Sequence, residues 1–297
     1  MKVKRSVSFY IYQVFNTIVL TLMALSCILP ILHVFAMSLS SSSAAMAGRV
    51  GFVPVEFSLK AYEYLISKKD FFHSVSISLA RVLVGTVFNM AIIAITAYPL
   101  SRSSRQFRAR TAYMAYFAVT MFIGGGLIPT YLLMVRLGFM NTFWVYIIPS
   151  LFSAYYMLLT SSYIQGLPEA LFESARIDGA GEITIFGKIV LPLSTPMLAC
   201  IALYAGVGHW NSWFDVSLYS KNGTWDNLQI ILYRLINQAN ALEKLMESQT
   251  SDVALRNIRP ETMRAATTVV VVLPIVMVYP FLQKYFVSGI TLGAVKG

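Results

Sequence analysis

Charged residues are scarce in this chain. Only 12% of its 297 residues are Asp, Glu, Lys or Arg, whereas 57% are hydrophobic. Soluble domains carry about 25% charged residues, because a water-facing surface needs them. The composition therefore excludes an ordinary soluble protein and predicts a chain that lives in a lipid bilayer.

Residues with catalytic or metal-binding chemistry are also few. Cys27 and Cys200 lie in apolar stretches, as packing residues do, and no metal-ligand spacing links His33, His73 and His209. The sequence contains no phosphate-binding G-x-x-x-x-G-K-S/T loop, no G-x-S-x-G elbow and no H-E-x-x-H motif. We therefore predict that the chain is not an enzyme, hydrolyses no ATP itself and holds no metal or cofactor.

Long apolar runs fill most of the sequence. A transmembrane helix needs about 20 mostly apolar residues, and six segments meet this requirement. We predict an all-α membrane protein, a single transmembrane domain over 1–297, with spans at 15–38, 74–100, 111–135, 143–163, 196–219 and 265–286. The first span is too long for a signal-peptide core, so we expect it to be retained. Glycines 124–126, inside the third span, predict a helix break or a close helix contact; lining a pathway is the alternative.

The basic residues predict the orientation, since short loops rich in Lys and Arg stay in the cytoplasm. The loop after the second span is one such loop, with no acid nearby: Arg102, Arg105, Arg108 and Arg110. The N-terminal tail is another, with Lys2, Lys4 and Arg5. Both termini and the segment between spans four and five are thus predicted to be cytoplasmic. The net charge of +10 then indicates orientation and contact with anionic lipid headgroups, and not nucleic-acid binding.

The segment 165–195, called the acidic segment below, has the pattern of a helix-turn-helix. Pro168 suits a first helical turn and Gly179 a left-handed cap. The predicted apolar face of the first helix comprises Leu167, Ala170, Leu171, Ser174 and Ala175. Glu173 and Arg176 are spaced to pair with each other. A second helix is predicted to end at Leu191-Pro192, with one face formed by Ile183, Phe186 and Val190. Defined ends and small residues favour a docking surface; a solvated linker is the alternative.

The same segment carries the motif Glu173-Ser174-Ala175, then Gly179, then Ile189 and Leu191-Pro192. This motif resembles the coupling loop of the permease subunits of binding-protein-dependent ABC importers, with Ser174 in place of the usual second Ala. Further likeness to sugar-importer permeases lies in the stretches 89–102, 124–132, 209–215 and 279–286, and in the closing Lys296-Gly297. Within that carbohydrate-uptake class, the chain most resembles the branch for complex or acidic oligosaccharides, including alginate and pectin fragments.

The resemblance implies the six-helix permease fold of type I ABC importers, in the bacterial cell membrane, working by alternating access. It implies four kinds of protein and ligand partner: a second homologous permease, two ATPase subunits that bind ATP and Mg, an extracytoplasmic solute-binding protein, and an oligosaccharide that can include uronates. The coupling residues implied by the motif are Glu173, Ser174, Ala175, Arg176, Asp178 and Gly179.

Two features predict a substrate pathway. Aromatic and hydrogen-bonding residues that suit sugar rings recur at helical spacing in the fifth span: His209, Asn211, Trp213 and Asp215. An interfacial aromatic belt is the alternative. Arg81 lies near mid-membrane, where a charge is costly, so it must face protein or water. It is expected either to pair with carbonyls or an acid of the partner permease, or to contact an anionic substrate. Asn89 predicts an interhelical hydrogen bond.

The loop 220–264 is predicted to lie outside and to contain an amphipathic helix. Apolar residues recur there at steps of three and four from Leu228 to Met246, after a cap at Thr224, Asp226 or Asn227. Its polar face includes Arg234 and Glu243, which predict contact with the binding protein; a lid over the helices is the alternative.

Two other function classes compete with an importer subunit. A self-sufficient secondary transporter or channel is disfavoured because the spans show no buried acid relay. A multi-spanning membrane enzyme is disfavoured because no nucleophile, base and metal ligands form a constellation.

Overall fold

The computed structural model describes residues 7–248 and 260–294, and the regular elements in these ranges are helical. The α-helices, in chain order, are α1 (Val7–Ser38), α2 (Ser42–Met46), α3 (Lys60–Ile66), α4 (Phe71–Ser101), α5 (Arg110–Phe122), α6 (Leu127–Arg136), α7 (Ala154–Gln165), α8 (Glu169–Ile177), α9 (Glu182–Ile185), α10 (Leu191–Leu193), α11 (Thr195–Asn211), α12 (Phe214–Tyr219), α13 (Leu228–Ser248) and α14 (Pro260–Ala294). Short 3-10 turns occupy Phe143–Tyr146 and Ile148–Ser150, and a π-helical turn occupies Phe186–Val190.

Three predicted spans are single helices, α1, α4 and α14, each long and apolar enough to cross a bilayer. Within the most apolar window of α1, none of the residues is buried inside the chain. Such a surface is stable in lipid and unstable in water. The prediction of an all-α membrane protein is confirmed.

The other three predicted spans are wrong as single helices, because each is broken. The pair α5 and α6 is bent by 112°, and the 3-10 turns and α7 by 50°. The third bent pair, the stretch Glu182–Leu193 and α11, bends by 73° just before the predicted fifth span, and that span is itself interrupted at Ser212. Counting each bent pair as one span gives six in the described residues. In the first pair the glycines at 124–126 form the break, which is one of the two predicted roles. Gly126 there has φ of +78°, a conformation that costs glycine little.

The predicted fifth span, 196–219, ends early. The helix α11 stops at Asn211, Ser212 is extended with ψ of 121°, and α12 starts at Phe214. The prediction that His209 to Asp215 follow one helical spacing is therefore wrong. The reason is local: the Ser212 hydroxyl turns to bond the Asp215 carboxylate at 2.7 Å, so the chain restarts as a new helix.

The chain divides into two compact units, and unit 1 comprises 1–69 and 232–273. Its loop after α1 folds around Glu56, whose backbone is left-handed with φ of 52°. The Glu56 carboxylate accepts hydrogen bonds from Ser41 at 2.6 Å, Arg49 at 2.8 Å and Ser43 at 3.0 Å. These donors, Ser41 first, lower the pKa of Glu56 to about 2. The loop therefore keeps its ionic contact at neutral pH.

Unit 2 comprises 70–231 and 274–297 and contains both candidate sites. At its centre, α4 packs mainly against α11 and α7. One apolar core joins α4, α7 and the acidic segment: Ala97, Tyr98, Leu100, Met157, Ile164, Phe172, Ile185 and Val190. The acidic segment is thus packed against the spans and is not a loose linker.

The predicted amphipathic helix of the 220–264 loop is confirmed as α13, and its cap is Asn227, whose Oδ1 accepts from the Ile230 N–H at 3.0 Å. Leu228, Leu232 and Leu235 are buried, as the apolar pattern predicts. Arg234 is exposed on α13. The side chain of Glu243 lies outside the described residues.

Candidate functional site

The helix α4 carries two polar clusters. It has 31 residues, so it is about 46 Å long, and its Pro99 falls only in the last turn. The Arg81 cluster comprises Arg81, Asn89, His209 and Asp215. The Arg102 cluster, at the end of the helix, comprises Tyr98, Arg102, Phe172, Arg176 and Glu182.

Arg81 forms a two-pronged ion pair with Asp215. Its Nη1 donates to Oδ1 at 3.2 Å and its Nη2 donates to Oδ2, while the guanidinium lies 5.1 Å from the centre of the Tyr146 ring. The Arg81 side chain is 3% exposed and that of Asp215 26%. Neither expected partner of Arg81, a second subunit or a substrate, is needed to balance its charge, because an acid 134 residues away in the same chain does so.

The Asp215 carboxylate is held in place from its own side as well. Its Oδ1 accepts from the Ser212 hydroxyl at 2.7 Å and from the Val216 N–H at 2.8 Å. The Nε of Arg81, in contrast, is buried without a hydrogen-bond partner among the residues that the structure describes. The Asp215 carboxylate is therefore held by more hydrogen bonds than the Arg81 guanidinium.

Asn89 is the interhelical hydrogen-bonding residue that the sequence predicts. Its Nδ2 donates to the carbonyls of Ser150 at 2.7 Å and Leu151 at 2.8 Å, which fixes the orientation of the amide. The Oδ1 of Asn89 is left as an acceptor for the His209 Nε2 at 2.9 Å, so that nitrogen must carry a proton. His209 is 5% exposed in this conformation and ties α11 to α4.

Close packing at this point depends on Gly85, which the sequence analysis did not single out. A Cβ at Gly85 would lie 2.3 Å from the Nε2 of His209, far inside any real contact. The absent side chain is therefore what lets the histidine ring reach Asn89. A glycine in an apolar helix gives only a weak signal for such an approach.

The remaining predicted pathway residues lie at the break of the fifth span. Asn211 is exposed, and Trp213 is partly buried with its ring edge-on to Phe214 at 5.7 Å. The structure thus joins Arg81 to Asp215 and His209 to Asn89, and leaves Asn211 and Trp213 beside them at the interruption between α11 and α12.

The Arg102 cluster fastens the acidic segment to the end of α4. The Arg102 guanidinium lies 4.1 Å from the ring centre of Phe172 and 4.7 Å from that of Tyr98. The Tyr98 hydroxyl donates to Glu182, whose Oε1 also accepts from the Nε and Nη2 of Arg176, both at 3.2 Å. Burial lowers the pKa of the Arg102 guanidinium, but an arginine stays charged at physiological pH.

The helix-turn-helix of the acidic segment is confirmed at its turn. Gly179 follows α8 with φ of +79°. Its N–H donates to the Arg176 carbonyl at 3.0 Å, and the Ala180 N–H donates to the Ala175 carbonyl at 2.9 Å. These two bonds are the left-handed glycine cap that ends a helix and satisfies its last carbonyls.

Three details of the acidic segment were predicted wrongly. The buried residue of α8 is Phe172, while Ala170, Leu171 and Ser174 of the predicted apolar face are exposed. Arg176 pairs with Glu182 and not with Glu173, because the turn at Gly179 brings α9 back beside it. Ile183 is 88% exposed. The π-helical turn changes the register there, so that Ile185 and Val190, five residues apart, are the buried pair.

The exposed face of the acidic segment combines acidic and apolar side chains. Glu173, Asp178 and Gly179 are exposed on it, and the motif residues Ser174 and Ala175 lie on the same helix. Ile177 and Ile183, on either side of the glycine turn, are 86% and 88% exposed. Two bare isoleucines beside acidic residues are typical of a surface that another protein covers. The sequence analysis missed Ile177 because its exposure depends on which side of α8 packs against the spans.

Comparison with known proteins gives matches over almost the whole chain. Residues 5–292 match the model of the family described as binding-protein-dependent transport system inner membrane component. In Bacillus subtilis, the polygalacturonan/rhamnogalacturonan transport system permease protein YtcP is 34% identical over 279 residues, 94% of this chain and 96% of its own length. Protein LplC of the same organism is 35% identical over 289 residues, 97% of this chain and 95% of its own.

A solved structure agrees with this fold. It is the crystal structure of a bacterial ABC transporter involved in the import of the acidic polysaccharide alginate, and one of its chains matches with a TM-score of 0.81 at 29% identity. The match covers 95% of this chain and 99% of that one. The resemblance drawn from the motifs and the predicted type I importer permease fold are both confirmed. The protein belongs to the family of inner membrane components of binding-protein-dependent transport systems.

Proposed function

We propose that this chain is one permease subunit of an ATP-driven importer, which accepts an oligosaccharide from an extracytoplasmic binding protein and passes it into the cytoplasm by alternating access. The observation that carries this proposal is the family match over residues 5–292. The acidic segment, anchored on one face and bare on the other, supports it from the structure.

In this proposal, energy comes from two separate ATPase subunits that bind ATP and Mg. The coupling surface is the exposed turn of the acidic segment, with Glu173, Ser174, Ala175, Arg176, Asp178 and Gly179 as its motif residues. To these the structure adds Ile177 and Ile183, which would supply apolar contact in the ATPase cleft. The charges of Glu173 and Asp178 would set the register of docking.

Docking requires the acidic segment to be cytoplasmic. The arginines after the second span support that side, since the positive-inside rule holds well for short loops. Arg102 itself lies against Phe172 of the acidic segment, so both must be on the same side of the membrane. Both termini are then cytoplasmic and α13 lies outside.

For the substrate, we propose a uronate-containing oligosaccharide moved together with a second homologous permease. The support is the pair of relatives named for polygalacturonan and rhamnogalacturonan and for the acidic polysaccharide alginate. Arg81 gives less support for an anionic substrate than its position in the span suggests, because Asp215 already balances its charge. The surface available to a sugar is the exposed Asn211 with the partly buried Trp213 and Asp215, while Arg81 and His209 hold Asp215 and the α4 contact behind it.

The binding protein is proposed to contact α13, where Arg234 is exposed and Glu243 is the other predicted contact. Charge reversal at Arg234 should then raise the binding-protein concentration needed for half-maximal stimulation of ATP hydrolysis. An unchanged concentration dependence would leave α13 as a lid only.

Isolation from native membranes tests the proposed function. Tagged full-length chain should be recovered with a second membrane-spanning subunit and with nucleotide-binding subunits, whose ATP hydrolysis rises on adding the sugar-loaded binding protein. Uptake by this chain alone, without ATPase subunits, would instead identify a secondary transporter. Thermal-shift screening of the cognate binding protein with neutral and uronate oligosaccharides identifies the sugar: selective stabilisation by neutral sugars would contradict the uronate assignment.

A further inference from the structure

One buried amide joins the start of α13 to the break in the fifth span. Asn227 is 1% exposed. Its Oδ1 caps α13 by accepting from the Ile230 N–H at 3.0 Å, and its Nδ2 donates to the Ser212 carbonyl at 2.5 Å. A cap alone uses only the oxygen of the amide, so the second bond is an additional connection.

The Ser212 end of this connection leads directly to the ion pair. Ser212 is the extended residue between α11 and α12, and its hydroxyl donates to Oδ1 of Asp215 at 2.7 Å. That same Oδ1 accepts from Nη1 of Arg81 at 3.2 Å. A displacement of Asn227 therefore acts on the residue that orients the acid of the pair.

A second hydrogen bond connects the start of α13 to the part of α4 that carries Arg81. The Leu228 N–H donates to the Ser78 hydroxyl at 2.8 Å, and Ser78 is 1% exposed on α4. Ser78 lies three residues before Arg81, about one helical turn away. The cap and first residue of α13 are thus bound on both sides of the Arg81–Asp215 pair, each time to a residue three positions before the charged one.

We infer that the start of α13 positions the Arg81–Asp215 pair, and that binding-protein contact on α13 changes the pair through Asn227 and Ser78. Asn227 is then a positioning residue. This inference rests on the proposed function, because it takes the binding protein as the partner of α13. Hydrogen bonds weaken steeply as they lengthen or bend, so a small shift of the helix start alters both links at once. Packed interiors change between discrete arrangements and do not deform continuously, so a small shift at one site is amplified at another.

The substitution Asn227→Asp separates the two roles of this side chain. Aspartate caps a helix as well as asparagine, so the bond from Ile230 is kept. It has no N–H, so the bond to the Ser212 carbonyl is lost. The matched control is Asn222→Asp, the same chemical change at an exposed position in the same loop. The assembled transporter is reconstituted with each variant, and ATP hydrolysis is measured against binding-protein concentration.

With Asn227→Asp, we expect basal hydrolysis and the half-maximal concentration of binding protein to match the wild type, because docking is intact. The maximal stimulation should fall by about fivefold or more, the lower range of coupling between sites. Asn222→Asp should behave as the wild type. Full maximal stimulation of the Asn227→Asp transporter would overturn the inference.

A second variant covers the case in which Asn227→Asp assembles poorly. Ser78→Ala removes the acceptor of the Leu228 N–H and should lower maximal stimulation in the same direction. Its control is Ser76→Ala, a serine whose hydroxyl bonds a carbonyl of its own helix, at 2.6 Å. Equal stimulation in Ser78→Ala and Ser76→Ala would overturn the inference. A wild-type transporter that no binding protein stimulates would contradict the proposed function itself.

Discussion

Two arginine–carboxylate pairs in unit 2 have similar chemistry and opposite surroundings. Arg81 and Asp215 are separated by 134 residues, and their side chains are 3% and 26% exposed. Arg176 and Glu182 are separated by six residues, and their side chains are 31% and 56% exposed. One pair joins two spans in the interior, and the other closes a turn at the surface.

The contrast shows which of the two contacts holds the fold. Water screens an exposed pair, which is worth about 0–1 kcal/mol. Removing one partner of a buried pair leaves a charge without compensation, which costs about 3–5 kcal/mol. The Arg81–Asp215 pair therefore fixes α12 against α4. The Arg176–Glu182 pair adds little to the stability of the acidic segment, because the contact of Phe172 with Arg102 already anchors it.

The largest effect is expected from Asp215→Asn, which leaves Arg81 charged and buried. We expect it to lower the free energy of unfolding by about 3–5 kcal/mol. Arg81→Gln should cost less, because the Asp215 side chain is more exposed and retains bonds from Ser212 and Val216. The double variant should be more stable than Asp215→Asn alone, as measured by thermal unfolding of the purified protein in detergent. Additive losses in the double variant would show that the two charges do not interact.

A smaller loss of stability is expected from Gly85→Ala, which tests the contact between His209 and Asn89 in the Arg81 cluster. Its Cβ would lie 2.3 Å from the His209 ring, so the ring must leave Asn89. Overpacking of this kind costs about 1–3 kcal/mol. Gly208→Ala on α11 is the control, since nothing lies within 4 Å of a Cβ there. Thermal unfolding should distinguish the two; equal stability would mean that α4 and α11 pack less closely than described.

The next effect concerns the turn of the acidic segment. A β-branched residue disfavours the left-handed conformation that Gly179 adopts, at about 1–2 kcal/mol, so Gly179→Val should misplace α8. Gly181→Val is the control, because Gly181 has φ of −73° and nothing lies within 4 Å of a Cβ added there. Protein level should stay near normal in both, while sugar-stimulated ATP hydrolysis of the assembled transporter falls only in Gly179→Val. Normal stimulation in Gly179→Val would rule out docking through this turn.

The smallest effect is expected at the surface pair. Arg176→Gln should lower the free energy of unfolding by less than about 1 kcal/mol, because both partners face water. That loss should vanish at high salt, where the Debye length shrinks to about 3 Å. Thermal unfolding at low and high ionic strength measures it. A large loss that salt does not change would mean that the pair is buried in the assembled transporter.

The features that sequence predicts well are local. The left-handed cap at Gly179 depends on residues within one turn, so its pattern is readable directly. The cap of α13 is also local, but the sequence predicts it only as one of Thr224, Asp226 or Asn227, and the structure uses Asn227. The apolar length of α1, α4 and α14 is equally local and predicted three continuous spans. The pattern from Glu173 to Pro192 is sufficient to indicate the family from sequence alone.

The features that sequence missed depend on distant residues or on small changes of helix geometry. The pairing of Arg81 with Asp215 joins positions 134 residues apart, and no spacing rule connects them. The break at Ser212 and the π-helical turn at Phe186–Val190 each shift the register of the residues after them, so faces counted at 3.6 residues per turn were wrong. Phe172 became the buried residue of α8 because Arg102 and the α4 end lie on that side.

Uptake into proteoliposomes tests most directly whether this permease transports an oligosaccharide only when separate ATPase subunits supply the energy. The transporter would be reconstituted with its binding protein and a labelled uronate oligosaccharide. We predict accumulation that requires ATP, the ATPase subunits and the binding protein together, and that is lost with Gly179→Val but kept with Gly181→Val. Equal uptake without ATP or without the ATPase subunits would contradict that requirement.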